Sequence, residues 1–164
     1  MLGRAFAVFL LSAALFAPAA FPQTAASASQ PVAVSADLLR HPIREKVRRR
    51  LMKALKKMES GEHETAIEQL RETLAKYPDS APYVDNLLGV EYVKTDRFQE
   101  AVTSFEQAVS WLPKDAMTHY NFGLALVCAG DYERAAHEVR RAVELDPGNP
   151  QMQARLNALL ENQR

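Results

Sequence analysis

Apolar positions recur with the helical period of about 3.6 residues through most of the chain after residue 43. Three segments show this period and align with one another: GEHETAIEQLRETLAKYP (61–78), DRFQEAVTSFEQAVSWLP (96–113) and GDYERAAHEVRRAVELDP (130–147). Their anchor alanines, Ala66, Ala101 and Ala135, lie 35 and 34 positions apart, and their closing prolines keep the same spacing. The pattern therefore predicts a structural repeat of about 34 residues.

A second helical stretch precedes two of these segments. VDNLLGVEYVKT (84–95) and HYNFGLALVCA (119–129) keep the helical period, and Asp96 or Gly130 lies in the turn that follows. After the last repeat, Asn149 is a suitable N-cap with Pro150 at the first helical position. The apolar stripe of that helix is Met152, Leu156, Leu159 and Leu160. The pattern predicts helix pairs followed by a terminal helix, seven helices in all.

The residues at equivalent repeat positions form a recognisable motif. The middle repeat has Leu88, Gly89, Tyr92, Ala101, Phe105, Ala108 and Pro113. The third has Phe122, Gly123, Ala135, Val139, Ala142 and Pro147, with Leu126 in place of the first-helix aromatic residue; the first retains Ala66, Leu70, Leu74 and Pro78. In these residues the chain resembles a tetratricopeptide repeat (TPR) protein. The resemblance implies an all-α fold: an α-solenoid of three TPR helix pairs, at about 47–80, 82–115 and 116–149, plus a C-terminal capping helix at about 150–162.

The first predicted helix, within REKVRRRLMKALKK (44–57), combines an apolar stripe with strong basic charge. Its stripe sits about one residue out of register with the other repeats, and Lys53 and Lys57 occupy positions where apolar residues are expected. The local net charge is +8 over residues 40–57 and −8 over residues 58–164. The apolar residues expected to face the core are Val47, Leu51, Ala54, Leu55 and Met58, and the basic surface consists of Arg44, Arg48, Arg49, Arg50, Lys53, Lys56 and Lys57. Three roles are open for this surface: a solvated face paired partly with the acidic body, a contact for an anionic protein or lipid surface, or a nucleic-acid contact. The last is disfavoured, because no aromatic residue is interleaved for base stacking.

The first 28 residues have the layout of a secretory signal peptide. Arg4 precedes an apolar run over 5–17, and small residues follow, including Ala26, Ser27 and Ala28. Two prolines keep the run below the roughly 20 residues of a spanning helix. We therefore expect a signal peptide at 1–28, a flexible N-terminal segment at 29–42 and the TPR domain at 43–164. The expected location is periplasmic or secreted, in an exported bacterial protein; an uncleaved N-terminal anchor is the alternative.

No set of residues predicts catalysis, a metal site or a cofactor. HEVRR (137–141) has Arg where a second zinc ligand of HExxH would stand. Cys128 is the only cysteine, so no disulfide forms within one chain; we expect it to be buried, with an intermolecular disulfide as the alternative. Trp111 is expected to fill apolar space at a helix end, with a partner-binding anchor as the alternative. The sequence favours a protein that is not an enzyme.

The resemblance also implies a binding groove, because in TPR proteins the first helix of each pair lines a concave surface that holds a peptide or helix. The corresponding residues are Tyr83, Asn86, Val90 and Lys94 in the middle repeat, Met117, Tyr120, Asn121 and Leu124 in the third, and Gln151 and Arg155 in the capping helix. Leu51 and Leu55 replace the Lys and Asn that some TPR proteins use to bind chaperone C-termini, so that partner class is disfavoured. We expect an envelope scaffold that binds a protein or peptide; the alternative is an assembly factor that contacts anionic lipid or an acidic partner through residues 44–57.

Overall fold

The computed structural model describes residues 43–161, which form seven α-helices and no β-strand. The helices are α1 (Glu45–Glu59), α2 (His63–Lys76), α3 (Ala81–Lys94), α4 (Phe98–Trp111), α5 (Ala116–Cys128), α6 (Tyr132–Leu145) and α7 (Pro150–Glu161). A single 3-10 turn, Pro78–Ser80, joins α2 to α3. The prediction of an all-α solenoid with seven helices is confirmed. The expected signal peptide (1–28) and flexible segment (29–42) lie outside the described residues.

Each helix packs against the next one along the chain, and α3 also packs directly on α5. This order is that of a solenoid, in which each helix pair buries its apolar face against its neighbours. Within residues 43–161, no helix is long and apolar enough to cross a membrane.

Two glycines allow the helices of a pair to approach closely. A Cβ atom at Gly89 would lie 2.7 Å from the Phe105 ring, and one at Gly123 would lie 2.5 Å from Cγ2 of Val139. Both distances are below van der Waals contact, so a side chain at either position would force the two helices apart. Phe105 and Val139 are themselves almost fully buried. The repeat glycine is thus required by packing between the two helices.

The turn inside each helix pair contains one residue in the left-handed region. Its φ angle is 76° at Gly61, 57° at Asp96 and 84° at Gly130. In each turn the next residue donates its backbone N–H to a carbonyl five positions earlier, as in Arg97 to Tyr92 at 2.8 Å. This hydrogen bond closes the helix C-terminus. Glycine adopts the left-handed region without cost, and Asp tolerates it better than most residues.

Helix α1 is in phase with the other first helices where the pair comes closest. Ala54 lies 35 positions before Gly89 and is fully buried, as is Ala66 on α2. The expected one-residue offset is therefore absent at this position. The two lysines at positions where apolar residues are expected do not disturb the packing of α1 on α2. Lys53 is exposed, and Lys57 Nζ lies 2.7 Å from Glu62 Oε2. The buried residues of α1 are Val47, Leu51, Ala54 and Met58, while Leu55 is only half-buried.

Helix α7 closes the C-terminal end of the stack. Asn149 Oδ1 accepts the backbone N–H of Gln151 at 3.1 Å and of Met152 at 3.4 Å, which confirms the predicted N-cap. Met152, Leu156 and Leu159 are buried, and Leu160 is partly exposed. The opposite face of α7 is polar or small, as the last helix of a stack requires.

Candidate functional site

The residues predicted to line a groove lie on α3 and α5, the first helices of two successive pairs, and on α7, which follows the third pair. On α3 they are spaced 3, 4 and 4 positions apart, which keeps them on one helix face. Because α3 packs directly on α5, the two faces are adjacent. The structure therefore brings these residues to neighbouring helices.

Burial divides the predicted contact residues into two groups. Tyr83 and Tyr120 are each 6% exposed and Asn86 is 8% exposed, so most of their surface is unavailable to a ligand. Half-buried residues are Val90, Met117, Asn121, Leu124 and Arg155, and exposed residues are Lys94 and Gln151. The accessible surface is consequently smaller than the sequence predicts.

Asn86 joins two repeats. Its Nδ2 donates to Thr118 Oγ1 at 2.6 Å, and that hydroxyl donates to Asp115 Oδ2 at 2.5 Å. The same Asp115 oxygen accepts the Thr118 backbone N–H at 2.9 Å and so caps α5. A buried amide whose donor is used in this way contributes to the packing of α3 on α5. One of the two hydrogens on its side-chain nitrogen is therefore committed to the fold.

Lys94 is also engaged within the fold. Glu91 is fully buried, with Oε1 3.0 Å from Lys94 Nζ and Oε2 2.7 Å from His63 Nδ1. Oε1 has no hydrogen-bond partner of favourable geometry among the described residues, so the Lys94 charge is what offsets its burial. A buried carboxylate that loses such a partner is strongly destabilising. The Lys94 charge therefore stabilises buried Glu91 at the contact between α3 and α2 and is not free to bind a ligand alone.

A row of partly exposed apolar residues crosses the first helices. Leu55 on α1, Val90 on α3 and Leu124 on α5 are all half-buried. They are spaced 35 and 34 positions apart, as the repeat requires. Sequence analysis assigned Leu55 to the core, although this spacing places it beside the other two. The accessible face of these helices is an apolar strip.

The predicted groove residues on the C-terminal side of this strip are polar. Asn121 on α5 and Arg155 on α7 are half-buried, and Gln151 on α7 is exposed. Gln151 and Arg155 lie four positions apart, on one face of α7. Arg155 forms no ion pair with a carboxylate of residues 43–161, and a guanidinium or an amide is suited to a peptide carbonyl.

A second histidine–carboxylate pair joins α5 to α6. His119 Nδ1 lies 2.7 Å from Glu138 Oε2 and its Nε2 lies 3.2 Å from the Pro113 carbonyl, while His137 lies 3.2 Å from the other Glu138 oxygen. Burial alone would raise the pKa of Glu138, but the hydrogen bonds to His119 and His137 outweigh it and lower the pKa.

In the part of the chain that the structure describes, no cluster of His, Cys, Asp and Glu is arranged to hold a metal ion.

The basic residues of α1 have different partners. Arg44 pairs with Asp79, Arg50 with Glu72, and Lys57 with Glu62, at 3.1, 3.1 and 2.7 Å. Arg48 and Arg49 both reach Glu45, at 3.6 and 3.7 Å. Lys53 and Lys56 form no ion pair with any described residue, and neither does Lys46, which the sequence-based selection omitted. Part of the predicted basic surface is thus neutralised by the chain itself.

The two expectations of burial for Cys128 and Trp111 are wrong. Cys128 is exposed at the last residue of α5. Trp111 is 57% exposed at the last residue of α4, because the helix ends before its ring reaches the core. Its indole N–H donates to the buried carboxylate of Asp85. Burial raises the pKa of Asp85 to about 6, and this hydrogen bond limits the rise.

An open depression of about 510 Å³ lies elsewhere, along α2. Its lining includes Arg97 and Glu72, which are paired with Glu64 and Arg50. None of the groove residues lines it.

Replacement of Trp111, which donates a hydrogen bond to Asp85, should make the free energy of unfolding depend more strongly on pH. Since the folded-state pKa of Asp85 lies above its ordinary value of 3.8, the folded chain holds more protons than the unfolded chain between about pH 4 and 6. The Asp85 contribution to the free energy of unfolding therefore falls as pH rises through that window. Trp111→Phe should lower the free energy of unfolding by about 1–3 kcal/mol at pH 7.5 and by less at pH 4.5. Urea denaturation at both pH values measures this, and an equal loss in an Asp85→Asn background would contradict it.

The two groove asparagines should respond differently to truncation. Asn86→Ala removes the donor to buried Thr118 and should lower the free energy of unfolding by about 1–2 kcal/mol. Asn121→Ala, at a half-buried site on the adjacent helix, should change it by less than about 0.5 kcal/mol. Chemical denaturation of the two variants gives the comparison. Equal losses would show that Asn86 does not stabilise the contact between α3 and α5.

Comparison with known proteins agrees with this architecture. A family model described as tetratricopeptide repeat matches residues 86–150. MamA from Desulfovibrio magneticus RS-1 is similar in structure, with a TM-score of 0.67 and 20% identity over 71% of this chain and 66% of that one. The first TPR domain of Spaghetti (RPAP3), solved with the HSP90 peptide SRMEEVD, has a TM-score of 0.69 and 20% identity over 74% of this chain and 96% of that one.

An enzyme is also among the similar structures. An O-GlcNAc transferase mutant from Thermobaculum terrenum has a TM-score of 0.64 and 26% identity, over 73% of this chain but only 23% of the transferase. This chain spans just under two thirds of the MamA chains it matches. No curated protein sequence matches it. The repeated helix pair, its close approach at glycine and the family match agree: residues 86–150 consist of tetratricopeptide repeats, and the described chain has the fold of a TPR solenoid.

Proposed function

We propose that this protein is a non-enzymatic scaffold that binds an extended peptide or a helix along α1, α3, α5 and α7. The observation that carries the proposal is the row of apolar residues Leu55, Val90 and Leu124, which pack against the core and remain partly exposed. The RPAP3 domain was solved with a peptide bound, which supports a protein or peptide as the class of ligand.

The polar residues at one end of the row fix the orientation of the ligand. Apolar ligand side chains pack on the row, where burial contributes about 25 cal/mol per Å². Asn121 and Gln151 bond the ligand backbone, since an amide side chain both donates and accepts. Arg155 takes a carboxylate or a carbonyl of the ligand. Buried Asn86 and Tyr120 support these residues from beneath and contribute little direct contact.

Charge reversal at the polar end should abolish partner binding. The variant Asn121→Asp, Gln151→Glu, Arg155→Glu changes the net charge by −4. The matched control Gln99→Glu, Gln107→Glu, Arg140→Glu makes the same change at exposed residues of α4 and α6. In crosslinked pull-downs from the envelope fraction, we expect the first variant to recover at least about tenfold less of the specific partner. Loss of one charged contact weakens binding by about this factor. The control should retain it.

The groove assignment fails if both variants recover the same proteins in the same amounts. Circular dichroism of the two variants is the folding control. A photocrosslinker at Leu124 should capture the partner, and one at Gln107 should not. Capture from Gln107 alone would move the binding surface to the second helices.

We further propose that the protein is exported, which would place the groove in the periplasm or outside the cell. The support is the charged, apolar and small-residue order within residues 1–28. Mass spectrometry of the protein from the envelope fraction should find a mature N-terminus between residues 20 and 29. A full-length N-terminus in that fraction would instead favour the uncleaved anchor.

A second candidate function is contact with an anionic surface or acidic partner through α1. The specific observation in its favour is that Lys46, Lys53 and Lys56 form no ion pair with any described residue. In this function the repeats position α1, and the groove holds a second component.

A further inference from the structure

Most cations of α1 and its N-cap fall into two sets according to their intrachain partners; Arg48, which lies 3.6 Å from Glu45 in its own helix, belongs to neither. The first set is neutralised: Arg44 by Asp79, Arg50 by Glu72, and Lys57 by Glu62. Arg50 also donates from Nε to the Thr73 hydroxyl at 3.0 Å, which ties it to α2. These residues hold α1 to the body of the protein.

The second set forms a line along the outer face of α1. Lys46, Arg49, Lys53 and Lys56 are spaced 3, 4 and 3 positions apart, and all four are exposed. That spacing places them on one side of the helix over a length of about 15 Å. The opposite side holds the buried residues Val47, Leu51, Ala54 and Met58. We call these four cations the outer stripe.

Ion pairing leaves most of the outer stripe uncompensated. Arg49 makes one long contact with Glu45, at 3.7 Å, and shares that carboxylate with Arg48. The three lysines reach no carboxylate within the described part of the chain. Lys56 gains some stabilisation from the C-terminal end of the helix dipole, whereas Lys46, in the first turn, sits at the unfavourable end. The position of Lys46 is therefore not explained by helix stability.

We propose that the outer stripe binds the headgroups of anionic phospholipids. The proposal deepens the second candidate function above and rests on it. Three of the four cations are lysines, which act as flexible point charges; planar, bidentate recognition of a carboxylate uses arginine. Protein interfaces are depleted in Lys and enriched in Arg and aromatic residues, and the stripe contains no aromatic residue. Anionic headgroups form a flat layer of like charges that move laterally. They can therefore align with a straight row of flexible ammonium groups.

Met52 adds an apolar contact beside the stripe. It is 61% exposed and lies on the same outer half of α1, next to Arg49 and Lys56. An unbranched, flexible side chain at this place reaches the headgroup boundary when the stripe meets the surface. The rest of the apolar face of α1 is committed to the core, so the helix does not insert. Binding is peripheral, reversible and weakened by salt.

Vesicle binding by matched charge variants tests this proposal. The probe is a set of vesicles of phosphatidylcholine with 30% phosphatidylglycerol, compared with phosphatidylcholine alone, in about 50 mM salt. The stripe variant is Lys46→Gln, Lys53→Gln, Lys56→Gln. The control variant is Arg44→Gln, Arg48→Gln, Lys57→Gln, which removes the same charge from residues that already have carboxylate partners. Each variant is made in the mature protein, without the signal peptide.

The parent should bind anionic vesicles and not neutral ones. Each stripe charge contributes about fivefold to partitioning, so the stripe variant should bind roughly 100-fold more weakly. The control variant should remain within about threefold of the parent, and Met52→Ser should bind a few-fold more weakly. Equal losses in the stripe and control variants would show that only net charge matters and would overturn the assignment.

Two further arms separate this inference from the groove and from other anions. The charge-reversed groove variant should still bind vesicles, so a failed groove leaves this result standing. Preference of the parent for duplex DNA or an acidic peptide over the vesicles, at the same salt, would assign the stripe to that macromolecule instead of lipid. Absence of binding to anionic vesicles by the parent would also overturn the proposal.

Discussion

The close approach of paired helices at small residues is the constraint on which the rest of the structure depends. Gly89 faces the ring of Phe105 and Gly123 faces Val139 at distances that leave no room for a Cβ atom. In the first pair, Ala54 and Ala66 are both fully buried on the packed helices α1 and α2. Because each pair has small buried residues at this position, the pairs pack in a similar way and stack regularly. The first helices can then present equivalent positions side by side.

Regular stacking has a second consequence, which is that polar groups become trapped between helices. Glu91 lies fully buried between His63 and Lys94, and Asn86 reaches Thr118 across the boundary between repeats. Each of these groups is partnered by a residue from another helix or from the same helix one turn away. The outer faces of α3 and α5 therefore rest on buried polar contacts that also stabilise the stack.

The helices and their order were predictable because the repeat positions are read from local patterns. The left-handed turn residues and the Asn149 cap act within a few residues, and the spacings of 35 and 34 repeat such local patterns along the chain. The candidate site was predictable only as a helix face. Which side chains on that face are free depends on long-range partners: Asn86 on Thr118, and Lys94 on a carboxylate that is itself buried. Periodicity cannot supply those partners, so it overestimated how much of Tyr83, Asn86 and Tyr120 is accessible.

The relay from Asn86 through Thr118 to Asp115 also determines how the array loses structure. Repeats two and three are joined by this relay and by direct packing of α3 on α5, and no comparable contact links α1 to α3 in residues 43–161. In a solenoid, stability is a sum of repeat terms and nearest-neighbour terms, so a strongly coupled internal boundary opens later than the ends. The contact between α3 and α5 should therefore persist when helices at either end of the described array fray.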